Sequence, residues 1–200
     1  MKLFYSPGAC SLAVRIVLNE AGLPFESIAA STKTHQLDDG SDYYQINPKG
    51  YVPYLVLDNG EGLSEGPVIC QYIADQVPEK NLIPACGTME RYRVQEWQNF
   101  IGTELHKTFG PLFNPAFPEA ARAINIERIK QRFAIVNERL EGKEYLTGSQ
   151  FTVADAYLFV VTNWAGFMKI DLSGLNNLNA FMSRVAVRPA VAQSLKEEGF

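Results

Sequence analysis

The apolar positions of the first 80 residues change period several times, whereas those beyond residue 87 keep a helical period to the end of the chain. Residues 2–5 alternate aromatic and apolar side chains and then meet Ser6, Pro7 and Gly8, which predicts a strand running into a turn. Leu12, Ile16, Val17 and Ala21 recur at helical spacing and stop at Gly22, Leu23 and Pro24, a glycine-then-proline helix end. Residues 25–30 read as a second strand and residues 31–42 as a polar loop. Residues 54–57 and Leu63, joined through Asp58, Asn59 and Gly60, predict a hairpin. Ser64 is expected to cap a helix that runs to about Gln76 and is ended by Pro78. A strand-helix-strand unit requires parallel pairing and a hairpin antiparallel pairing, so the sheet of this α/β domain, residues 1–80, is expected to be mixed and covered by helices.

A linker over residues 77–87, holding Pro78 and Pro84, separates that domain from an all-helical one over residues 87–200. Residues 88–110 form one long helical pattern, broken by Pro111, Pro115 and Pro118. Residues 119–142 carry Ile126, Ile129, Phe133, Val136 and Leu140 at alternating spacings of 3 and 4, the stripe of an antiparallel bundle. From residue 153 to 164 nearly every face is apolar, which predicts a helix buried at the bundle centre. Thr152 with Asp155 three positions on, and Phe151 just before, has the form of a capping box with a staple. Two short helices follow around residues 175–185 and 190–198.

Composition narrows the function. With 46% apolar and 20% charged residues, the 200-residue chain is globular in type, and it has enough length for a core that needs no disulfide frame. The longest unbroken apolar run, residues 156–161, falls far short of the ~20 residues a membrane helix needs. The N-terminus lacks the apolar stretch of a secretory signal, so a cytoplasmic address is expected. Net charge is -4, and the first 80 residues hold five basic against ten acidic groups, a balance that argues against nucleic acid as a partner. Cys10, Cys70 and Cys86 form no C-x-x-C and are joined by only two histidines, so no metal is expected and each cysteine reads as a free thiol.

Cys10 stands where the first helix begins, where unpaired amides and the helix dipole favour a thiolate. The dipole supplies about 0.3–1 kcal/mol, whereas lowering a thiol by two units takes about 2.7 kcal/mol, so a nearby donor would be required. The competing reading is a small buried side chain. His106 is the candidate donor: at about 100° per residue Asn99, Thr103 and His106 share one stripe, with Glu104 about 140° from Asn99. A solvated helix face is the alternative. Val52 precedes Pro53 directly before a strand, and a cis bond there would leave the Val52 amide and carbonyl for an extended peptide ligand, against an ordinary trans edge proline. Glu65 and Gly66 open a helix where amides suit a carboxylate and Glu65 an ammonium group, or simply form a cap. Structural roles are expected for Cys70 and Cys86. Together these residues suit an extended, peptide-like ligand with a carboxylate and an amine at one end and a sulfur near Cys10, as in glutathione.

The segments KLFYSPGACSLA, NPKGYVPYL, LSEGPVICQYIAD, WQNFIGTELHK and FTVADAYLF, in this order and spacing, resemble a bacterial glutathione S-transferase of the beta class over essentially the full length. The resemblance implies a thioredoxin-like N-terminal domain, an all-helical C-terminal domain and a homodimer. It implies catalytic roles for Cys10 and His106, with glutathione contacts from Ala9, Ser11, His35, Tyr51, Val52, Pro53, Glu65 and Gly66. Asn99, Thr103 and Glu104 of the second domain join them, Glu104 toward the neighbouring subunit's ligand. His35 and Tyr51 depart from the family, which often has Lys and Gln there; both departures bear on the glycyl end. Tyr5 and Ser11 are rival thiol activators by comparison with other transferase classes. The electrophile is expected against Phe109, Phe113, Tyr157 and Trp164, with Pro111, Phe117 and Phe167 nearby and a core role as the competing reading for Trp164 and Phe167. The implied activity is conjugation of the glutathione thiolate to hydrophobic electrophiles, with thiol-disulfide exchange through Cys10 as a variant and no cofactor beyond glutathione as co-substrate. The alternative is a non-catalytic protein of this fold that binds hydrophobic ligands or a protein partner.

Overall fold

A computed structural model describes all 200 residues. They form two compact units, one of residues 1–83 with 188–200 and one of residues 84–187. Residues 188–200, which the periodicity groups with the helical part, pack with the first unit.

In the first unit β1 (Lys2–Tyr5), α1 (Ser11–Ala21), β2 (Glu26–Ala29), β3 (Tyr54–Val56), β4 (Gly62–Ser64) and α2 (Gly66–Asp75) follow one another. The sheet order is β2-β1-β3-β4, with β1 parallel to β2 and antiparallel to β3, and β3 antiparallel to β4. Period-2 alternation sorts the two faces. Leu3 and its cross-strand partner Leu55 are fully buried, as are Ile16 of α1 and Ile73 of α2. Phe4 and its partner Tyr54 point the other way, onto Tyr43 and Ala30. A β-carbon at Gly62 would overlap the Tyr54 hydroxyl, so only glycine lets β4 pass beneath that ring. Gly22 ends α1 in the left-handed region at φ 70°, as its position before Pro24 predicts. The expected Ser64 cap is corrected: Ser64 is the last residue of β4 and Glu65 is the N-cap of α2. The Ser64 hydroxyl instead accepts from Lys49 Nζ at 2.9 Å.

The last helix, α8 (Pro189–Glu197), lies on α1. Its contact centres on Arg15, buried to 3% exposure, which donates to Glu197 at 3.0 Å and Glu198 at 3.1 Å. The Arg15 guanidinium also covers the Tyr5 ring at 4.2 Å.

The second unit begins with α3 (Met89–Phe100), capped by Thr88, whose hydroxyl accepts from Arg91 N. The long helix expected to Gly110 is modified: Ile101–His106 is a π-helical segment, followed by the short α4 (Lys107–Phe109) and a 3₁₀ turn at Gly110–Phe113. Next come α5 (Glu119–Arg139), α6 (Val153–Phe167) and α7 (Asn176–Ala186). Ile129, Phe133 and Val136 bury the predicted stripe of α5, and α6 is buried from Val153 to Ala165 except at Asn163. Asp155, fully buried, closes the capping box: Oδ2 accepts from Thr152 N and the Thr152 hydroxyl, each at 2.8 Å, and Oδ1 accepts from Leu146 N at 2.9 Å. No helix is long and apolar enough to cross a membrane.

Candidate active site

In the first unit, the turn after β1 delivers Cys10 to the N-cap of α1. Ser11, fully buried, bonds the backbone of Ser6 in both directions, accepting from its N–H at 3.2 Å and donating to its carbonyl at 3.3 Å. Ala9 N donates to the same carbonyl at 3.0 Å. Glu198 ties the loop to α8 by accepting from Gly8 N at 2.9 Å while its other oxygen holds Arg15. Burial raises the Glu198 carboxyl even beside that arginine.

The Cys10 thiol donates to the Val52 carbonyl at 3.4 Å. Burial pushes this thiol up to about 12, against the lowering effect of backbone hydrogen bonding, and the Glu65 carboxylate pushes the same way. Burial thus opposes the thiolate that position at the helix start favours, and the group within reach of the sulfur in this unit is a carbonyl acceptor rather than a donor.

Val52–Pro53 is a cis bond. Tyr51, 70% exposed, has its carbonyl fixed by the Tyr43 hydroxyl at 2.9 Å and Asn47 Nδ2 at 2.8 Å. The chain beyond Pro53 enters β3, and a β-carbon at Gly66 would lie 3.5 Å from Pro53 Cγ, so the start of α2 packs on that proline. Glu65 takes a left-handed φ of 71°, unusual for a non-glycine residue and common where function over-determines the backbone. Its carboxylate lies 3.5 Å from Lys49 Nζ. Pro67 falls in the first turn of α2, where a missing N–H costs little. Thus Cys10, Val52, Pro53, Glu65 and Gly66 are brought together, while the His35 ring lies beside Gly50, two residues upstream of Val52, its Nδ1 3.1 Å from Gly50 O. Tyr5, the rival activator, is stacked under Arg15.

The second unit has its own cluster. His106 Nδ1 lies 2.6 Å from the Tyr157 hydroxyl, and its ring sits edge-on to Trp164 at 4.7 Å. Phe109 and Phe113 meet Trp164 edge-on at 5.8 and 5.5 Å. Phe109, Tyr157 and Trp164 are buried, whereas Phe113 is 48% exposed. Phe167, for which a core role was one reading, is 57% exposed. His106, Thr103 and Glu104 all lie in the π segment, whose i→i+5 bonding departs from α spacing, so the wheel drawn from Asn99 does not carry across it. Asn99 and Thr103 are exposed, and Thr103 Oγ1 donates back to Asn99 O at 3.0 Å. Glu104 accepts from Arg132 at 2.7 Å and Arg128 at 3.3 Å, and these guanidinium groups of α5 hold its carboxyl below the usual range. The sequence reading missed Glu198, Arg15 and the π segment.

A family model described as "Glutathione S-transferase, N-terminal domain" matches residues 8–76, and one described as "Glutathione S-transferase, C-terminal domain" matches residues 100–189. With this fold and this cysteine site, the chain belongs to the glutathione S-transferase family, in its bacterial beta class. It is 46% identical over 199 residues to the glutathione S-transferase GstA of Escherichia coli O157:H7, covering 100% of this chain and 99% of that protein. A ternary complex of BphK, a bacterial transferase, matches with TM-score 0.98 at 50% identity over 100% of both chains. A sphingomonad glutathione S-transferase complexed with glutathione matches with TM-score 0.96 at 44% identity, again over 100% of both.

Proposed function

We propose that the protein conjugates glutathione to small hydrophobic electrophiles, with Cys10 acting as a hydrogen-bond donor to the glutathione sulfur rather than as the nucleophile. The observation that carries this is the meeting of the Cys10 thiol, the Val52 carbonyl and the N-terminus of α2 in one unit, with burial raising the thiol. A tripeptide thiol pairs its cysteinyl backbone with Val52, as an added strand does. Its γ-glutamyl carboxylate meets the amides that open α2, and its ammonium group meets Glu65. The ligand thiol gives its proton to solvent water, the Cys10 S–H turns from the Val52 carbonyl to the resulting thiolate, and that sulfur forms the new bond to the electrophilic carbon as the leaving group departs with its bonding pair. The aromatic cluster around His106 on the helical unit suits a flat, soft electrophile. The family reading also makes the enzyme cytoplasmic and homodimeric.

The test is conjugation of a dinitroaryl chloride by the wild type and by Cys10→Ala. The variant is expected to keep conjugation within about tenfold, the worth of one weak donor, and to lose any glutathione-dependent disulfide exchange. No conjugation by the wild type at saturating glutathione would overturn the reading in favour of a non-catalytic binding protein. Glu65→Ala is expected to raise KM for glutathione about tenfold with kcat little changed, since it removes one partly exposed charge-assisted bond made equally in ground and transition states. An unchanged KM would remove Glu65 from the site.

A further inference from the structure

We propose that Glu198 is a positioning residue for the transferase reaction: it holds the turn between β1 and α1, and through that turn sets where the Cys10 sulfur stands. The inference rests on the reading of Cys10 as the group that meets the glutathione sulfur. Cys10 reaches its place through Ser6, Pro7, Gly8 and Ala9, a turn outside the strands and helices. Ser11 ties both backbone polar groups of Ser6, and Ala9 N closes on the same carbonyl. Those bonds fix the start of the turn. Its middle is held from 190 positions away, where Glu198 Oε2 accepts from Gly8 N at 2.9 Å. Gly8 is at φ 72°, and a β-carbon there would lie 3.2 Å from the Phe200 ring, so residues 198–200 close on this glycine.

A buried carboxylate loses its hydration, and the ion pair that compensates it adds little net stability over apolar side chains of the same volume. The Glu198 side chain is fully buried, and Arg15 beside it is 3% exposed. Arg15 gives Nε to Glu198 at 3.1 Å and one terminal nitrogen to Glu197 at 3.0 Å, while its other terminal nitrogen has no hydrogen-bond partner. The pair is therefore poorly satisfied as a device for docking α8, a task that Asn19 Nδ2 and the Ser194 hydroxyl share at 2.9 Å. What the pair supplies is direction. Arg15 fixes one oxygen of Glu198, so the second has one place to stand, and the Gly8 amide meets it there. Arg15 lies on α1 five positions after Cys10, so the helix that starts beside Cys10 and the turn that leads to it are both referred to one carboxylate. A donor to a reacting sulfur has to be placed within ~0.5 Å, and a loose turn of four residues does not give that precision.

The test compares Glu198→Ala with Glu197→Ala, which removes an Arg15 partner from the same helix but no contact to Gly8. Both are followed by iodoacetamide labelling of the cysteines and by conjugation of a dinitroaryl chloride. In Glu198→Ala, Cys10 is expected to be labelled about tenfold faster than in the wild type, as the sulfur leaves its desolvated place. Exposed Cys86 keeps its rate, and buried Cys70 stays unlabelled, the sign that the unit is still folded. kcat/KM for conjugation is expected to fall about threefold in Glu198→Ala but to be unaffected by the same change in the Cys10→Ala background, because a residue that acts through Cys10 has nothing to position once the thiol is gone. Glu197→Ala is expected to match the wild type in both readouts. Unchanged Cys10 labelling in Glu198→Ala, a loss of conjugation that persists in the Cys10→Ala background, or equal effects from Glu197→Ala would each overturn the proposal. If Glu198→Ala also exposes Cys70, the double variant Arg15→Met with Glu198→Met, which removes the buried charges together and keeps their volume, decides by the same readouts. Absence of conjugation by the wild type would overturn the functional reading, whereas the labelling still decides whether Glu198 sets the place of Cys10.

Discussion

Iodoacetamide at neutral pH is expected to alkylate Cys86 at the rate of an ordinary cysteine and Cys10 about 100-fold more slowly. Cys86 is exposed, whereas Cys10 is partly covered and its thiol is pushed up to about 12. Against an ordinary thiol near 8.5, that shift lowers the thiolate fraction about 3,000-fold, and the greater intrinsic reactivity of a more basic thiolate returns about 30-fold of it. Cys70, 1% exposed, is expected to stay unlabelled until the protein unfolds. Peptide mass mapping over a time course separates the three. Labelling of Cys10 as fast as Cys86 would mean that the start of α1 holds a preformed thiolate, and it would restore Cys10 as the attacking group in disulfide exchange. Slow labelling fits a thiol that donates, first to Val52 and then to the sulfur of a bound ligand.

The difference between these outcomes shows where sequence reasoning stops. Position at a helix start is visible in the spacing of Pro7, Gly8 and Cys10, and the dipole argument built on it has the right sign. The opposing desolvation comes from packing that brings Val52, 42 positions away, against the same sulfur. The mixed sheet and its hairpin were legible because each strand and turn carries its own local signal: Gly22 before Pro24, and the Asp58, Asn59, Gly60 turn. The role of the C-terminus was not. Glu198 holds Gly8 across 190 positions, and nothing in the amphipathic pattern of α8 distinguishes a helix that packs on α1 from one that stays in the bundle. The π segment escaped for a different reason. A single wheel angle was applied to Asn99 through His106; Gly102 is the one weak helix former among them, and because an α-helix also tolerates a lone glycine, the change at Ile101 shows only in hydrogen-bond register. The Thr152 and Asp155 capping box was legible in full, because both partners lie within one turn.

Asp155→Asn is expected to destabilise the protein by about 3–5 kcal/mol, nearly as much as Asp155→Ala. Both carboxylate oxygens of Asp155 accept, Oδ1 from Leu146 N and Oδ2 from Thr152 N and the Thr152 hydroxyl, all in a fully buried site. An amide offers one acceptor. Whichever way it is turned, its NH₂ faces a backbone donor, so at least one buried N–H loses its partner and meets another donor instead. Leu146 belongs to the loop between α5 and α6, so the loss loosens that loop as well as the start of the central helix. For a chain of this size the thermal midpoint is expected to fall by about 10 °C. Thr152→Val, which removes only the hydroxyl, is expected to cost about 1 kcal/mol. The pH dependence gives a second check. Burial raises the Asp155 carboxyl from 3.8 to about 6. A folded-state value above the unfolded one means the native protein binds the extra proton, so this group's contribution is fully present below 3.8 and is lost as pH rises through about 6. Asparagine does not titrate, so the gap between wild type and Asp155→Asn is expected to widen by about 1 kcal/mol from pH 7.5 to pH 5. A gap that narrows over this interval would mean that the three donors hold the carboxylate more strongly than burial opposes it.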